Sequence, residues 1–152
     1  GQVEPGNILE YTIYFLSVGG VPAANTKICD LVPDGLEFVP TGFNNDTGIS
    51  PNTGSDFGIV LGWATNTGSL PSPATPLSGA SLFRLTGVGD GDGGTFFAAG
   101  ATPSTTCTAA NTNGAVVVVV GGTTAATGIP KATAPGTPTG SYGFFRFRAR
   151  VK

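Results

Sequence analysis

The closing segment, Ser141 to Lys152, constrains the fold most. Phe145, Phe147, Ala149 and Val151 alternate there with Phe144, Arg146, Arg148, Arg150 and Lys152. Successive side chains of an extended chain point to opposite faces, so a period of two predicts a strand. Its inner face is apolar and its outer face is a half-exposed basic stripe. The segment Ile8 to Leu16 alternates in the same way, with Leu9, Tyr11, Ile13 and Phe15 on one face and Ile8, Glu10, Thr12, Tyr14 and Leu16 on the other. A third signal is the unbroken run Ala115 to Val120 after Asn113-Gly114, which predicts a strand buried on both faces.

Shorter extended stretches are expected at Asn25 to Leu31, Leu36 to Val39, Phe57 to Trp63, Ser81 to Leu85 and Thr95 to Phe97. Turn residues separate them, among them Pro5-Gly6-Asn7, Gly19-Gly20, Pro33-Asp34-Gly35 and the Gly/Asp stretch Gly87 to Gly94. No helix is expected. The count of about seven or eight strands points to one all-β domain over 1–152, a Greek-key β-sandwich with long loops near 42–56, 64–80, 98–113 and 121–140.

Composition narrows the function. The chain has no His and no Met, and a net charge of −2 with 11% charged residues. Without His, Ser-His-Asp and Cys-His catalysis are excluded, and the commonest general base and zinc ligand is missing. The expectation is therefore no enzyme and no cofactor. So few cations also exclude a nucleic-acid surface, which needs clustered Lys and Arg. No stretch reaches the length of apolar chain needed for a membrane-spanning helix. Cys29 and Cys107 are the only cysteines. A structural disulfide is the simplest reading of such a pair, and two buried thiols in a cytosolic protein is the other.

Residues 3–15 (Val-Glu-Pro-Gly-Asn-Ile-Leu-Glu-Tyr-Thr-Ile-Tyr-Phe) are followed by Gly19-Gly20 and then by Ala24 to Val39, which includes Ile28-Cys29-Asp30-Leu31-Val32-Pro33-Asp34-Gly35-Leu36-Glu37-Phe38. This pattern resembles the DUF11 surface-repeat family, and Gly143 to Lys152 looks like that family's closing strand. The resemblance covers about the first 40 residues and the last 12, and Ile28-Cys29-Asp30 is similar to cyanobacterial members. It implies an immunoglobulin-like sandwich at a bacterial cell surface, with a structural or adhesive role and no shared catalytic centre. Read physically, Tyr11 should place its ring in the core, and Asp30 should accept backbone N–H bonds from the Pro33-Asp34-Gly35 turn. Family members carry a strand before the Pro-Gly turn, where this sequence has only Gly1 to Glu4. If the chain begins there, one sheet lacks an edge strand, a template for pairing with a neighbouring subunit; a shorter first strand that still suffices, or residues upstream of Gly1, is the other reading.

Several residues are candidates for sites. Asp90 and Asp92, in Asp90-Gly91-Asp92-Gly93-Gly94, resemble part of a calcium loop, although a Gly/Asp hairpin turn explains them more simply and no metal is expected. Asn45-Asp46-Thr47 is a glycosylation sequon on Asn45. Val3, Arg146, Arg148 and Arg150 are candidates for assembly contacts. Lys27 or Lys131 could form an isopeptide bond near a carboxylate. Trp63 and Phe57 are expected in the core. Together these readings predict a secreted structural subunit or repeat of a cell-surface filament, sheath or layer. Its partners would be copies or neighbouring repeats of itself. The alternative is an adhesive module whose loops bind a surface glycan or a protein.

Overall fold

The computed structural model describes residues 2–51, 53–63, 82–102, 107, 109–134, 137, 138 and 140–152. Eight strands lie among them: β1 (Ile8–Leu16), β2 (Thr26–Leu31), β3 (Leu36–Phe38), β4 (Phe57–Trp63), β5 (Leu82–Thr86), β6 (Gly94–Phe97), β7 (Ala115–Val120) and β8 (Tyr142–Val151). There is no helix among the described residues. The expected loop at 64–80 lies outside them, as do parts of those at 98–113 and 121–140.

All strand pairs are antiparallel, and the strands form two sheets. One has the order β1-β8-β4-β5, with β3 also on β8; the other has the order β2-β7-β6. The alternation read at Ser141 to Lys152 explains why β8 is central. Along one edge it pairs with β1 from Ile8↔Arg150 to Leu16↔Tyr142. Its other edge is shared end to end, by β3 at residues 149–151 and by β4 at residues 143–147.

The inward faces meet in one core. Phe145, Phe147, Ala149, Ile59 and Leu61 of the larger sheet pack against Val116, Val118 and Val120 of the smaller. Phe147 is fully buried and its ring stacks on Tyr11 at 5.1 Å between centroids. Tyr11 itself is only half-buried, as are Leu9, Ile13 and Phe15 on the same face. All four pack against the edge of the main core.

The outer face of β8 is half-exposed, and part of it carries a cover that the sequence did not indicate. Arg146 and Arg148 are half-buried and Arg150 and Lys152 exposed, while Phe144 is buried where the chain between β3 and β4 folds back over part of this face. Phe43 from that chain joins Phe57, Val60, Leu82, Tyr142 and Phe144 in a second buried cluster. The register shift between Phe57 and Ile59 is a β-bulge, which turns Phe57 to the outer face while Ile59 and Leu61 stay inside. Gly58 sits at the bulge because a Cβ there would collide with the Phe38 ring.

A candidate assembly flank

The ends of the two sheets differ in how they are closed. At one flank the free edge of β5 is partly covered by a parallel bridge between Ser50 and Phe83, and Arg84 N donates to Ser50 O at 2.6 Å. Beside it, β6 is bridged by Val88 to Thr95, and Phe96 N donates to Gly87 O at 2.8 Å. The opposite flank carries β1 and β2. There Phe15 and Leu16 of β1, Thr26 of β2 and Ile129 line one groove of about 260 Å³. Nothing among the described residues pairs with the far edge of β1.

The ladder identifies which groups that edge presents. Val151 N donates to Asn7 O at 2.9 Å, and Ser17 N donates to Ser141 O at 2.7 Å. Hydrogen-bonded and non-hydrogen-bonded pairs alternate along an antiparallel ladder. The odd residues of β1 therefore point their N–H and C=O groups at β8. Ile8, Glu10, Thr12, Tyr14 and Leu16 point theirs away from the sheet. Large exposed apolar side chains concentrate on the same flank: Ile8, Tyr14 and Leu16 on β1, then Val18 and Val21 just beyond, with Val3 before it.

Arg146 and Arg148 of β8 are engaged within the chain. Arg148 donates to Glu10 Oε2 at 3.0 Å and to the Asp46 carboxylate at 3.2 Å, and also to Gly42 O, while its guanidinium lies 4.2 Å from the Phe43 ring centre. Arg146 sits 4.5 Å over Phe144 and 3.6 Å from Glu10 Oε1. Both are half-buried; Arg150 is exposed. The apolar β1 edge, rather than a cationic stripe, is thus the prominent feature of this flank.

Asp30 lies on the inward face of β2, opposite Val116 and on the same side as Ile28. Burial raises its carboxyl above the ordinary aspartate value, and a hydrogen bond from the Leu31 backbone opposes that rise. The turn after β2 is held by Asn113 instead, whose Nδ2 donates to Pro33 O at 2.7 Å and to Leu36 O at 2.8 Å. Asp30 cannot serve that turn because its side chain is directed between the sheets. A raised folded pKa means the native state binds more protons than the unfolded chain. Stability from this group is therefore lost as pH rises from the ordinary carboxylate range through the raised pKa. Asp30→Asn is expected to raise the melting temperature slightly at neutral pH and to flatten that slope, as measured by thermal unfolding across acidic to neutral pH.

The other candidate residues are dispersed. Cys29 and Cys107 form a disulfide with Cα atoms 5.2 Å apart, tying β2 to the connection between β6 and β7. Asp90 and Asp92 brace the turn after β5. Asp92 accepts from Thr86 N at 2.6 Å and Gly94 N at 2.8 Å; Asp90 accepts from Thr86 Oγ1 at 3.1 Å and Asp92 N at 3.2 Å. Among the described residues, no group of three or more His, Cys, Asp or Glu is placed to hold a metal ion. Asn45 is exposed. Lys27 is exposed on the face of β2 opposite Asp30, and Lys131 is also exposed. Phe57 is buried in the outer cluster; Trp63 is half-buried against the main core and donates to Gly140 O at 2.7 Å.

Sequence reasoning missed Arg84, which is 4% exposed on β5. It donates to the carbonyls of Pro51, Phe43 and Asn44 and lies 4.4 Å from the Phe57 ring centre. A lone Arg within an apolar pentad, Leu82 to Thr86, is the only signal it left in the sequence.

The described residues define a two-sheet, all-β sandwich with a disulfide. Among the described residues no helix is long and apolar enough to cross a membrane. Comparison with protein-family models, curated proteins and solved structures finds no match.

Proposed function

We propose that this chain is an extracellular structural module, a subunit or repeat that assembles through its strand edges and loops into a filament, sheath or layer at a bacterial cell surface. The observation that carries the reading is the outer edge of β1, which no described residue pairs with, its outward backbone groups flanked by a row of exposed Ile8, Tyr14 and Leu16. Unpaired strand edges recruit further strands. The disulfide fits an oxidising, extracellular setting. The immunoglobulin-like Greek-key topology and the kinship with the DUF11 surface repeats are part of the same proposal.

A second reading, an adhesive module, draws on the groove of about 530 Å³ lined by Thr53, Phe57, Phe83, Asp90 and Asp92, in which Phe83 is exposed. An aromatic face beside carboxylates is chemistry suited to a sugar. Light scattering and negative-stain microscopy of the purified chain at high concentration separate the two. Ordered assemblies are expected. A monodisperse monomer that binds glycans would replace the structural reading with the adhesive one.

A further inference from the structure

We propose that a second copy of this chain docks on the edge of β1 that no described residue pairs with, antiparallel to it and related by a two-fold axis through Thr12, so that two sandwiches share one continuous sheet. This rests on the reading of the chain as a self-assembling subunit and names the partner and register of one contact.

An open edge is ordinarily defended by Lys, Pro, a bulge or shortness. β1 has none of these defences. It runs nine residues, Ile-Leu-Glu-Tyr-Thr-Ile-Tyr-Phe-Leu, in unbroken register with β8. Its single charge, Glu10, is already paired with Arg146 and Arg148.

The outward N–H and C=O groups belong to Ile8, Glu10, Thr12, Tyr14 and Leu16, so a second β1 must align these residues with each other. With Thr12 on the axis, Ile8 faces Leu16 of the other copy, Glu10 faces Tyr14 and Thr12 faces Thr12. Each such pair exchanges two N–H···O bonds, and no outward group inside the strand is left over. An axis at Tyr11 or Ile13 drops an end residue from the ladder. An axis at Glu10 sets two carboxylates against each other, which is destabilising, and leaves Tyr14 and Leu16 unpaired.

The inner face obeys the same register. Leu9 comes opposite Phe15, and Tyr11 opposite Ile13. These are the non-hydrogen-bonded pairs, where side chains approach most closely. All four residues are half-buried in the single chain and pack against the core. A second copy brings apolar partners to each of them. The contact uses the same patch on both chains and therefore closes as a dimer. Growth beyond it falls to other surfaces, such as the loops.

The test uses the whole chain with its disulfide intact. Tyr14→Glu places a carboxylate opposite Glu10 of the other copy, twice per dimer; Tyr14→Lys removes the same ring but places an ammonium there. By sedimentation equilibrium, Tyr14→Glu is expected to weaken dimerisation at least tenfold relative to Tyr14→Lys, with thermal melts confirming that both fold. In parallel, Thr12→Cys is expected to give a covalent dimer on mild oxidation and Glu10→Cys is not, because only Thr12 meets itself. Equal association of the two Tyr14 variants, or equal cross-linking at both cysteine positions, overturns the register. If the wild type assembles and the Tyr14→Glu variant assembles just as well, docking at β1 fails while assembly stands. A wild type that stays monomeric at high concentration overturns both.

Discussion

Removing the Cys29–Cys107 bridge is expected to destabilise the protein by about 4 kcal/mol. The bridge spans a sequence separation of 78 residues. In the chain-entropy treatment, a closed loop of that length restricts the unfolded ensemble by roughly 4–5 kcal/mol at room temperature. The native geometry explains why that restriction matters here. β2 is an edge strand, held by one six-residue ladder to β7. The disulfide is its second attachment, to a connection whose near end is ordered by Asn111, which donates to Ala98 O at 2.7 Å and accepts from Gly114 N at 2.7 Å. The measurement is denaturant unfolding of the wild type with and without reductant, alongside a Cys29→Ser, Cys107→Ser double variant. For a domain of this size the loss corresponds to a fall of about 10 °C in melting temperature. A change of under about 1 kcal/mol would show that the reduced chain keeps an equivalent constraint.

Replacing Arg84 is expected to cost about 3–5 kcal/mol. The guanidinium is buried, and among the described residues no carboxylate pairs with it. Backbone carbonyls balance its charge: Nε donates to Pro51 O at 2.9 Å, and Nη1 to Phe43 O at 3.2 Å and Asn44 O at 3.0 Å. Hydrogen bonds to a charged group contribute about 1.5–3 kcal/mol each, against a desolvation cost of several. Arg84→Met keeps much of the volume over Phe57 but removes the guanidinium from the Pro51, Phe43 and Asn44 carbonyls, of which Phe43 O keeps Asp46 N at 3.1 Å. Arg84→Lys is expected to recover little, because a single ammonium cannot reproduce the planar fork that reaches separate carbonyls. Urea unfolding gives the free energy. Hydrogen exchange should show the loop between β3 and β4 opening before the main core, since Phe43 and Asn44 lose their tie to β5. A uniform loss of protection would instead mean that Arg84 supports the whole sandwich.

The two variants probe different sides of the molecule. The first concerns the edge of the smaller sheet, the second the apolar cover on the outside of the larger one. Neither touches the outward groups of β1, so both leave the proposed docking edge intact wherever the chain remains folded.

Alternation along β1 and β8 and the valine run of β7 made the strands and the inner core legible in the sequence. Period-two patterning depends only on neighbouring residues and on the geometry of an extended chain. The pairing of Cys29 with Cys107 was legible for a similar reason: with two cysteines there is only one intramolecular bridge to draw. The second cluster was not legible, because Phe43 stands alone among polar residues and its burial depends on a bulge at Gly58 that re-aims Phe57. Nor was the fate of Arg146 and Arg148. A basic stripe on a strand is exposed or covered according to what folds over it, and Glu10, Phe43 and Asp46 reach them from elsewhere in the chain. What the sequence determined by itself is therefore the set of strands and their apolar faces, which local geometry dictates. What only the tertiary structure decided is which edge stays open and which charges are already matched, because both depend on contacts between residues far apart along the chain.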